Sequence, residues 1–322
     1  MKFDVAIADI WAARARIAGQ VRATPTYRSE ALTRRLGAPT FLKLECLQLA
    51  GSFKVRGVLN KLALMGEAER RRGVVTVSGG NHAIAVAQAA AASGIDALVL
   101  MPKVTPAYNL AQTRAHGATI ELCESSAEAF ERAKAHAAAG RVFVHPYDDP
   151  AGIAGHGTLG VELVEAVPDL SHVFVSIGGG GFIAGVGAAL RALKPDAQLV
   201  GVETEGAETM TQALAAGAPV TIQPRSIART LGAPFATDRT LAAAREFVRE
   251  IAVVSDEAAV RELDWLLVNE RLLAEPAATA TIAAAERRAG GFKPADRVVL
   301  VICGSNVAID DIVAWRKQFG VG

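Results

Sequence analysis

Leu42-Lys43-Leu44-Glu45-Cys46-Leu47-Gln48-Leu49-Ala50-Gly51-Ser52-Phe53-Lys54-Val55-Arg56-Gly57 places a lysine after a turn-forming Gly-Ser pair and an aromatic ring, with an Ala-Leu-rich helical stretch behind it. Glycine and serine let the backbone come close to a bound group. A lysine withdrawn from water loses its proton more easily, and a neutral amine can form a Schiff base with an aldehyde. Taken alone, Lys54 reads as a solvated lysine at a helix start. The loops further along the chain set it apart.

Around this stretch, short apolar runs alternate with helix-forming segments. Strands are expected at 40–44, 74–78, 97–101, 119–123, 142–145, 173–177, 199–203 and 298–303, and helices at 83–92, 126–139, 184–193 and 256–270. Such alternation, with strands apolar on both faces, predicts an α/β fold of mostly parallel, twisted sheets flanked by helices. Seams near Arg70-Arg71-Arg72-Gly73 and Pro146-Tyr147-Asp148-Asp149-Pro150 divide it into two lobes. Residues 1–72 and 147–322 form the larger in this reading, and 73–146 a small inserted α/β unit.

Three loops after strands carry candidate chemistry. Ser78-Gly79-Gly80-Asn81-His82 opens a helix, whose first N–H groups and dipole suit a carboxylate; it reads equally as a turn and N-cap. Gly178, Gly179, Gly180 and Gly181 leave backbone amides unshielded, as a phosphate requires. Gly179, Gly181 and Ala184 also satisfy a dinucleotide-binding pattern, with Glu203 where a ribose-binding acid would stand. An NAD(P)-dependent oxidoreductase is therefore a rival reading, one that leaves Lys54 unexplained. Cys303-Gly304-Ser305-Asn306 ends an apolar strand, with Cys303 reading alone as a buried structural thiol. The six histidines show no metal-binding spacing, and most read as surface or packing residues.

Composition narrows the classes further. At 322 residues, 51% hydrophobic and 21% charged, the chain can bury a large core. A net charge of +1 gives no general attraction to nucleic acid or acidic membranes. Cys46, Cys123 and Cys303 are scattered and odd in number, which fits a reducing compartment. No signal peptide or membrane span is expected, so the cytoplasm is the expected location.

Taken together, Gly51-Ser52-Phe53-Lys54-Val55-Arg56-Gly57, Ser78-Gly79-Gly80-Asn81-His82, the four glycines from Gly178, Glu275-Pro276-Ala277 and Cys303-Gly304-Ser305-Asn306 resemble pyridoxal-phosphate enzymes of the tryptophan-synthase-β fold type (fold type II). Within it they are similar to the threonine/serine dehydratase and serine racemase group. The resemblance implies pyridoxal 5′-phosphate held by Lys54 as a Schiff base, with Phe53 against one ring face. Asn81 would meet the ring 3′-oxygen and the glycines the phosphate. Glu275 would belong to the cofactor site, and Cys303 would face the pyridine nitrogen where many relatives have serine.

The implied reaction is dehydration of a 2-amino-3-hydroxy acid to a 2-oxo acid and ammonia. The substrate carboxylate would lie on Ser78, Gly79, Gly80, Asn81 and His82, with Lys54 as base. Gly79 stands where racemases of the group carry a serine base, so elimination without efficient racemisation is expected. Phe130 and Tyr147 align where relatives put polar residues near the substrate side chain. They favour threonine, or a bulkier hydroxy amino acid such as phenylserine, over 3-hydroxyaspartate, within an overall expectation of L-threonine or L-serine as substrate. Serine racemase and a different lyase or synthase stay open as alternatives. Glu203, Ala207 and Glu208 fall in the region resembling the family's divalent-cation site, with Thr209 where an acid is usual. A cation is left open there, and activity without added Mg²⁺ or Ca²⁺ is expected. A homodimer is compatible with the resemblance, and no appended regulatory domain is expected, which favours a catabolic role.

Overall fold

The computed structural model describes residues 2–322. Its strands are β1 (Thr26–Arg28), β2 (Thr40–Lys43), β3 (Val74–Val77), β4 (Ala97–Pro102), β5 (Thr119–Cys123), β6 (Val142–Phe143), β7 (His172–Ser176), β8 (Gln198–Thr204), β9 (Val248–Val254) and β10 (Val298–Val301). They form a six-stranded sheet, in the order β1-β2-β10-β7-β8-β9, and a four-stranded sheet, in the order β5-β4-β3-β6. Every pairing is parallel except β1 with β2. Parallel strands need helical crossovers and covered faces, which is why β3, β7 and β10 are buried along their whole length.

The larger sheet centres the main core, where Val173, Phe174 and Val175 of β7 and Val298, Val299 and Leu300 of β10 pack on helix Pro276–Glu286. Pro276 through Ala285 of that helix are all buried. Its alanines let the backbone approach the sheet closely, so the alanine richness of the sequence is a packing device as well as helix filling. The smaller sheet's core draws Val55, Val58, Leu59 and Leu62 from helix Lys54–Ala63, alongside Val74 and Val99. The helix that begins at Lys54 thus lends apolar side chains to the smaller sheet's core while packing most extensively on helix Pro150–Ala166, and its chain neighbour β2 belongs to the larger sheet.

The eight expected strands are present, one (Thr119–Cys123) with the expected ends and seven with shifted ends. The last stops at Val301, because Ile302 and Cys303 turn out of the ladder to meet residues 43–53 through single backbone hydrogen bonds. β1 was not foreseen, having only three residues, nor β9, whose Arg249 and Glu250 interrupt the apolar run.

A buried ion network fixes helix Lys54–Ala63 in place. The Arg56 guanidinium, fully buried, donates to Glu45 (2.7 and 2.8 Å), Glu162 (2.6 and 2.9 Å) and Thr158 (3.2 Å). Lys43 Nζ donates to Glu162 at 2.6 Å. Two cations against two carboxylates leave the cluster neutral. Burial alone would raise the Glu162 pKa, but Arg56 and Lys43 hold it below the usual value. No helix among the described residues is long and apolar enough to cross a membrane.

Candidate active site

Segments far apart in the chain converge at the C-terminal ends of β3, β7 and β10, where open α/β sheets place their ligands. Ser52 bridges Gly304, and Phe53 N donates to the Cys303 carbonyl at 3.1 Å. Lys54 follows at the first position of its helix. The Phe53 ring stacks on Phe182, centroids 3.7 Å apart, which sets Lys54 beside the glycine loop.

Lys54 Nζ donates to the Pro146 carbonyl at 2.6 Å. As a residue Lys54 keeps some exposed surface, yet its amine is enclosed by protein, and burial lowers its pKa from 10.5 to about 8. No carboxylate pairs with it, so a substantial fraction is neutral near physiological pH.

The glycine loop lies against the residue after Pro146. Gly180 has φ +92 and caps helix Gly181–Leu193, a conformation glycine adopts without strain. A methyl at Gly179 would fall 2.5 Å from Cδ2 of Tyr147, and one at Gly181 would fall 2.9 Å from the Tyr147 carbonyl carbon. Among the described residues, the N–H groups of 178–182 donate to no protein acceptor. With the helix dipole behind them they form an anion cradle. A smaller cradle lies at the start of helix Asn81–Ala92, where Gly80 N donates to Ser78 Oγ at 3.1 Å and Asn109 Nδ2 to the Gly79 carbonyl at 2.8 Å. A methyl at Gly79 would lie 2.6 Å from Thr105 Oγ1, so a serine there would require Thr105 to move.

Asn81 joins the two sheets' residues: its Nδ2 donates to Glu275 Oε1 (2.7 Å), and its Oδ1 accepts from Asn306 Nδ2 (2.7 Å). Thr230 Oγ1 donates to the same Glu275 oxygen at 3.0 Å. Burial pushes the Glu275 carboxyl up to about 7, against the downward pull of those bonds, and its Oε2 has no partner. Burial, reinforced by the Glu275 charge, raises the Cys303 thiol well above its usual pKa, so it stays a neutral S–H.

The remaining sequence candidates fall elsewhere. Phe130 is buried in the smaller sheet's core and touches His145 and Phe235; Tyr147 touches the same two rings. The two residues thus share one aromatic cluster, Tyr147 at its glycine-loop end. Glu203 caps helix Thr209–Ala216: Oε1 accepts from Met210 N (2.7 Å), and Oε2 from Thr211 N (2.9 Å) and Thr211 Oγ1 (2.6 Å). With both oxygens engaged, it is not free for a ribose, which removes the main support for the dinucleotide reading. Ala207 is buried and Glu208 half-buried, and no group of three or more metal-ligating side chains occurs among the described residues.

Sequence reasoning missed Thr230, the use of Asn306, and the Arg56 network. It read most of the histidines as surface or packing residues, with His82 placed at the substrate carboxylate. His82 and His156 are buried, and they line one crevice with His145 near Lys54. Arg56 sits two residues past Lys54, but nothing in the sequence marks Glu45 and Glu162 as its partners.

A sequence profile described as pyridoxal-phosphate dependent enzyme matches residues 17–304. The chain is 35% identical over 312 residues to an L-threonine ammonia-lyase of Thermotoga maritima, covering 96% of this chain and 77% of that protein. It is 36% identical over 315 residues to a phenylserine dehydratase of Ralstonia pickettii, covering 96% and 94%. The structure of maize serine racemase matches with TM-score 0.91 and 32% identity, covering 99% of this chain and 98% of that one.

The residues present fit pyridoxal 5′-phosphate. A free-amide cradle suits its phosphate, a partly neutral buried amine suits its aldehyde, and a neutral thiol can donate to an unprotonated ring nitrogen.

Proposed function

We propose that this chain, which belongs to the pyridoxal-phosphate dependent enzyme family and uses pyridoxal 5′-phosphate, removes water from a 2-amino-3-hydroxy acid, L-threonine or L-serine first, and that the enamine so formed is hydrolysed by water to a 2-oxo acid and ammonia. The observation that carries this reading is Lys54: a buried amine with a pKa near 8, held by the Pro146 carbonyl beside the free-amide glycine loop.

Lys54 would hold the cofactor's aldehyde end, residues 178–182 its phosphate, and Cys303 and Asn81 the edges of its ring, with Phe53 packed near Lys54. When bound, the cofactor supplies an electron sink for the substrate's amino-bearing carbon. The amides at 78–82 bind and orient the substrate carboxylate through the dipole of helix Asn81–Ala92. Lys54 Nζ, released to act as base, takes the α-proton. The neutral Cys303 thiol, with no carboxylate in its place, would leave a bound cofactor's ring nitrogen unprotonated and so a weaker electron sink, which would favour loss of the β-hydroxyl. Gly79 supplies no proton carrier on the other face, and a larger residue there would have to displace Thr105. Elimination should therefore outrun racemisation; D-serine forming from L-serine as fast as pyruvate would contradict this.

A second reading rests on the aromatic cluster. Tyr147 and Phe235, with Phe130 beyond them, present apolar ring surface next to the glycine loop, which suits a bulky apolar β-substituent such as that of phenylserine. Comparing turnover of threonine, serine, phenylserine and 3-hydroxyaspartate separates the two.

The deciding test is the visible spectrum of the purified protein before and after L-threonine, with 2-oxobutyrate assayed alongside. A yellow band that responds, with keto acid formed, is the expected result. A yellow band indifferent to every hydroxy amino acid would refute the reaction while leaving the cofactor. A colourless protein that pyridoxal 5′-phosphate cannot reconstitute would refute both.

A further inference from the structure

Helix Asn81–Ala92 opens on unused donors: among the described residues, the N–H groups of Gly79, Asn81 and His82 donate to no protein acceptor. With the helix dipole behind them they favour an anion. A side chain of the neighbouring loop is turned to the same place. Thr105 follows β4, the strand paired with β3, and is 8% exposed, yet its Oγ1 has no hydrogen-bond partner among the described residues. A methyl on Gly79 would lie 2.6 Å from that oxygen but 3.6 Å from both Cβ and Cγ2 of Thr105, so the hydroxyl is the part aimed at Gly79. Any side chain at 79 would stand in front of the hydroxyl, and glycine keeps it open to the cradle. Both sides are held in place. Thr105 N donates to the Pro102 carbonyl at 2.9 Å, Arg229 Nη1 to the Val104 carbonyl at 3.0 Å, and Asn109 Nδ2 to the Gly79 carbonyl at 2.8 Å. A buried hydroxyl without a partner destabilises a fold, and valine would fill the same space without that penalty.

We infer that Thr105 is a substrate-binding residue whose hydroxyl donates to the substrate carboxylate, beside the N–H groups of Gly79, Asn81 and His82. The inference rests on the proposed seating of an amino-acid carboxylate at residues 78–82, and it holds whichever bond of the substrate is then broken. The missing partner of the Thr105 hydroxyl is an acceptor, and a carboxylate brings one to the place where three unused amides already converge. Thr105 lies on the loop after β4 and the amides on the loop after β3, so the carboxylate joins two adjacent loops of the smaller sheet. Sequence reasoning gave no sign of this, because a Thr-Pro pair after a strand reads as an ordinary turn.

Thr105→Val keeps the shape and removes the hydroxyl. Since that hydroxyl is unpartnered in the ligand-free protein, the variant should melt no lower than wild type and bind pyridoxal 5′-phosphate as tightly. KM for L-threonine and L-serine should rise at least about tenfold, as for a lost hydrogen bond to a charged group, with kcat within about threefold. Thr105→Ser should bring KM back to within about threefold of wild type. 2-Aminoethanol is serine without its carboxylate, so the concentration at which it changes the holoenzyme's spectrum should be the same in wild type and variant. If the valine variant does not fold, Thr105→Ala gives the same readout. Unchanged KM in Thr105→Val, a fall in kcat at unchanged KM, no rescue by serine, or equal losses for 2-aminoethanol and L-serine would each overturn the inference. Failure of the dehydration reading shows in the wild type, as absent keto acid; the L-serine concentration that half-saturates the spectral change then replaces KM. A wild-type holoenzyme whose spectrum answers to no amino acid overturns both.

Discussion

Gly179→Ala and Gly181→Ala should both weaken cofactor binding, but only the first should be rescued by trimming Tyr147. The Gly179 methyl would sit 2.5 Å from Tyr147 Cδ2 and closer still to Cγ, where ordinary contacts begin near 3.4 Å. The ring is buried, so the loop must move off it, and the amides of 178–182 lose their convergence. Overpacking of this kind costs about 1–3 kcal/mol, and if the loop must recover that strain to bind phosphate, affinity falls about five- to 150-fold. Tyr147→Ala removes the clashing ring carbons, and the double variant should recover most of the loss. At Gly181 the clash is with the Tyr147 backbone, which no side-chain change relieves. Absorbance titration of cofactor-free protein with pyridoxal 5′-phosphate measures all four variants. Wild-type affinity in Gly179→Ala, or equal rescue of both glycine variants by Tyr147→Ala, would refute the packing argument.

Cofactor uptake by the cofactor-free protein should speed up with pH about a midpoint near 8, because only the neutral Lys54 amine attacks an aldehyde; a stopped-flow profile that is flat through that range would contradict the lowered pKa. Arg56→Met leaves Glu45 and Glu162 facing Lys43 alone and should cost about 3–5 kcal/mol in urea unfolding; a loss below about 1 kcal/mol would show that the network relaxes easily. The Glu275 carboxyl is raised from 4.5 to about 7 in the fold, so its contribution is fully present below 4.5 and is lost as pH rises through 7. Wild-type stability should therefore decline across that window by on the order of 3 kcal/mol relative to Glu275→Gln, and parallel pH profiles would exclude the effect.

The apolar, β-branched strands such as Val74–Val77 and Val298–Val301 were readable because parallel strands are buried on both faces. The short edge strand β1 and the charged β9 were not, since neither carries a clean pattern. Lys54, Asn81 and the four glycines stood out because each breaks a local rule: a lysine beside a core aromatic, a polar helix start, glycines where a helix begins. Partners that act only through tertiary contact left no such trace. Thr230 reaches Glu275 from 45 residues away in sequence, and His156 sits inside an ordinary-looking helix, packed against Gly57, Phe53 and Phe182.

The three unpaired thiols have a practical consequence. Cys46, Cys123 and Cys303 are all buried, and each has its pKa raised, Cys46 to about 12. None should react with a thiol reagent at neutral pH until its surroundings open. Cys123 ends β5 in the smaller sheet, Cys303 follows β10 in the larger, and Cys46 lies between β2 and the Lys54 helix. The natural chain thus carries an internal reporter in each part of its architecture, and the order in which the three are labelled under mild denaturant would show which part loosens first.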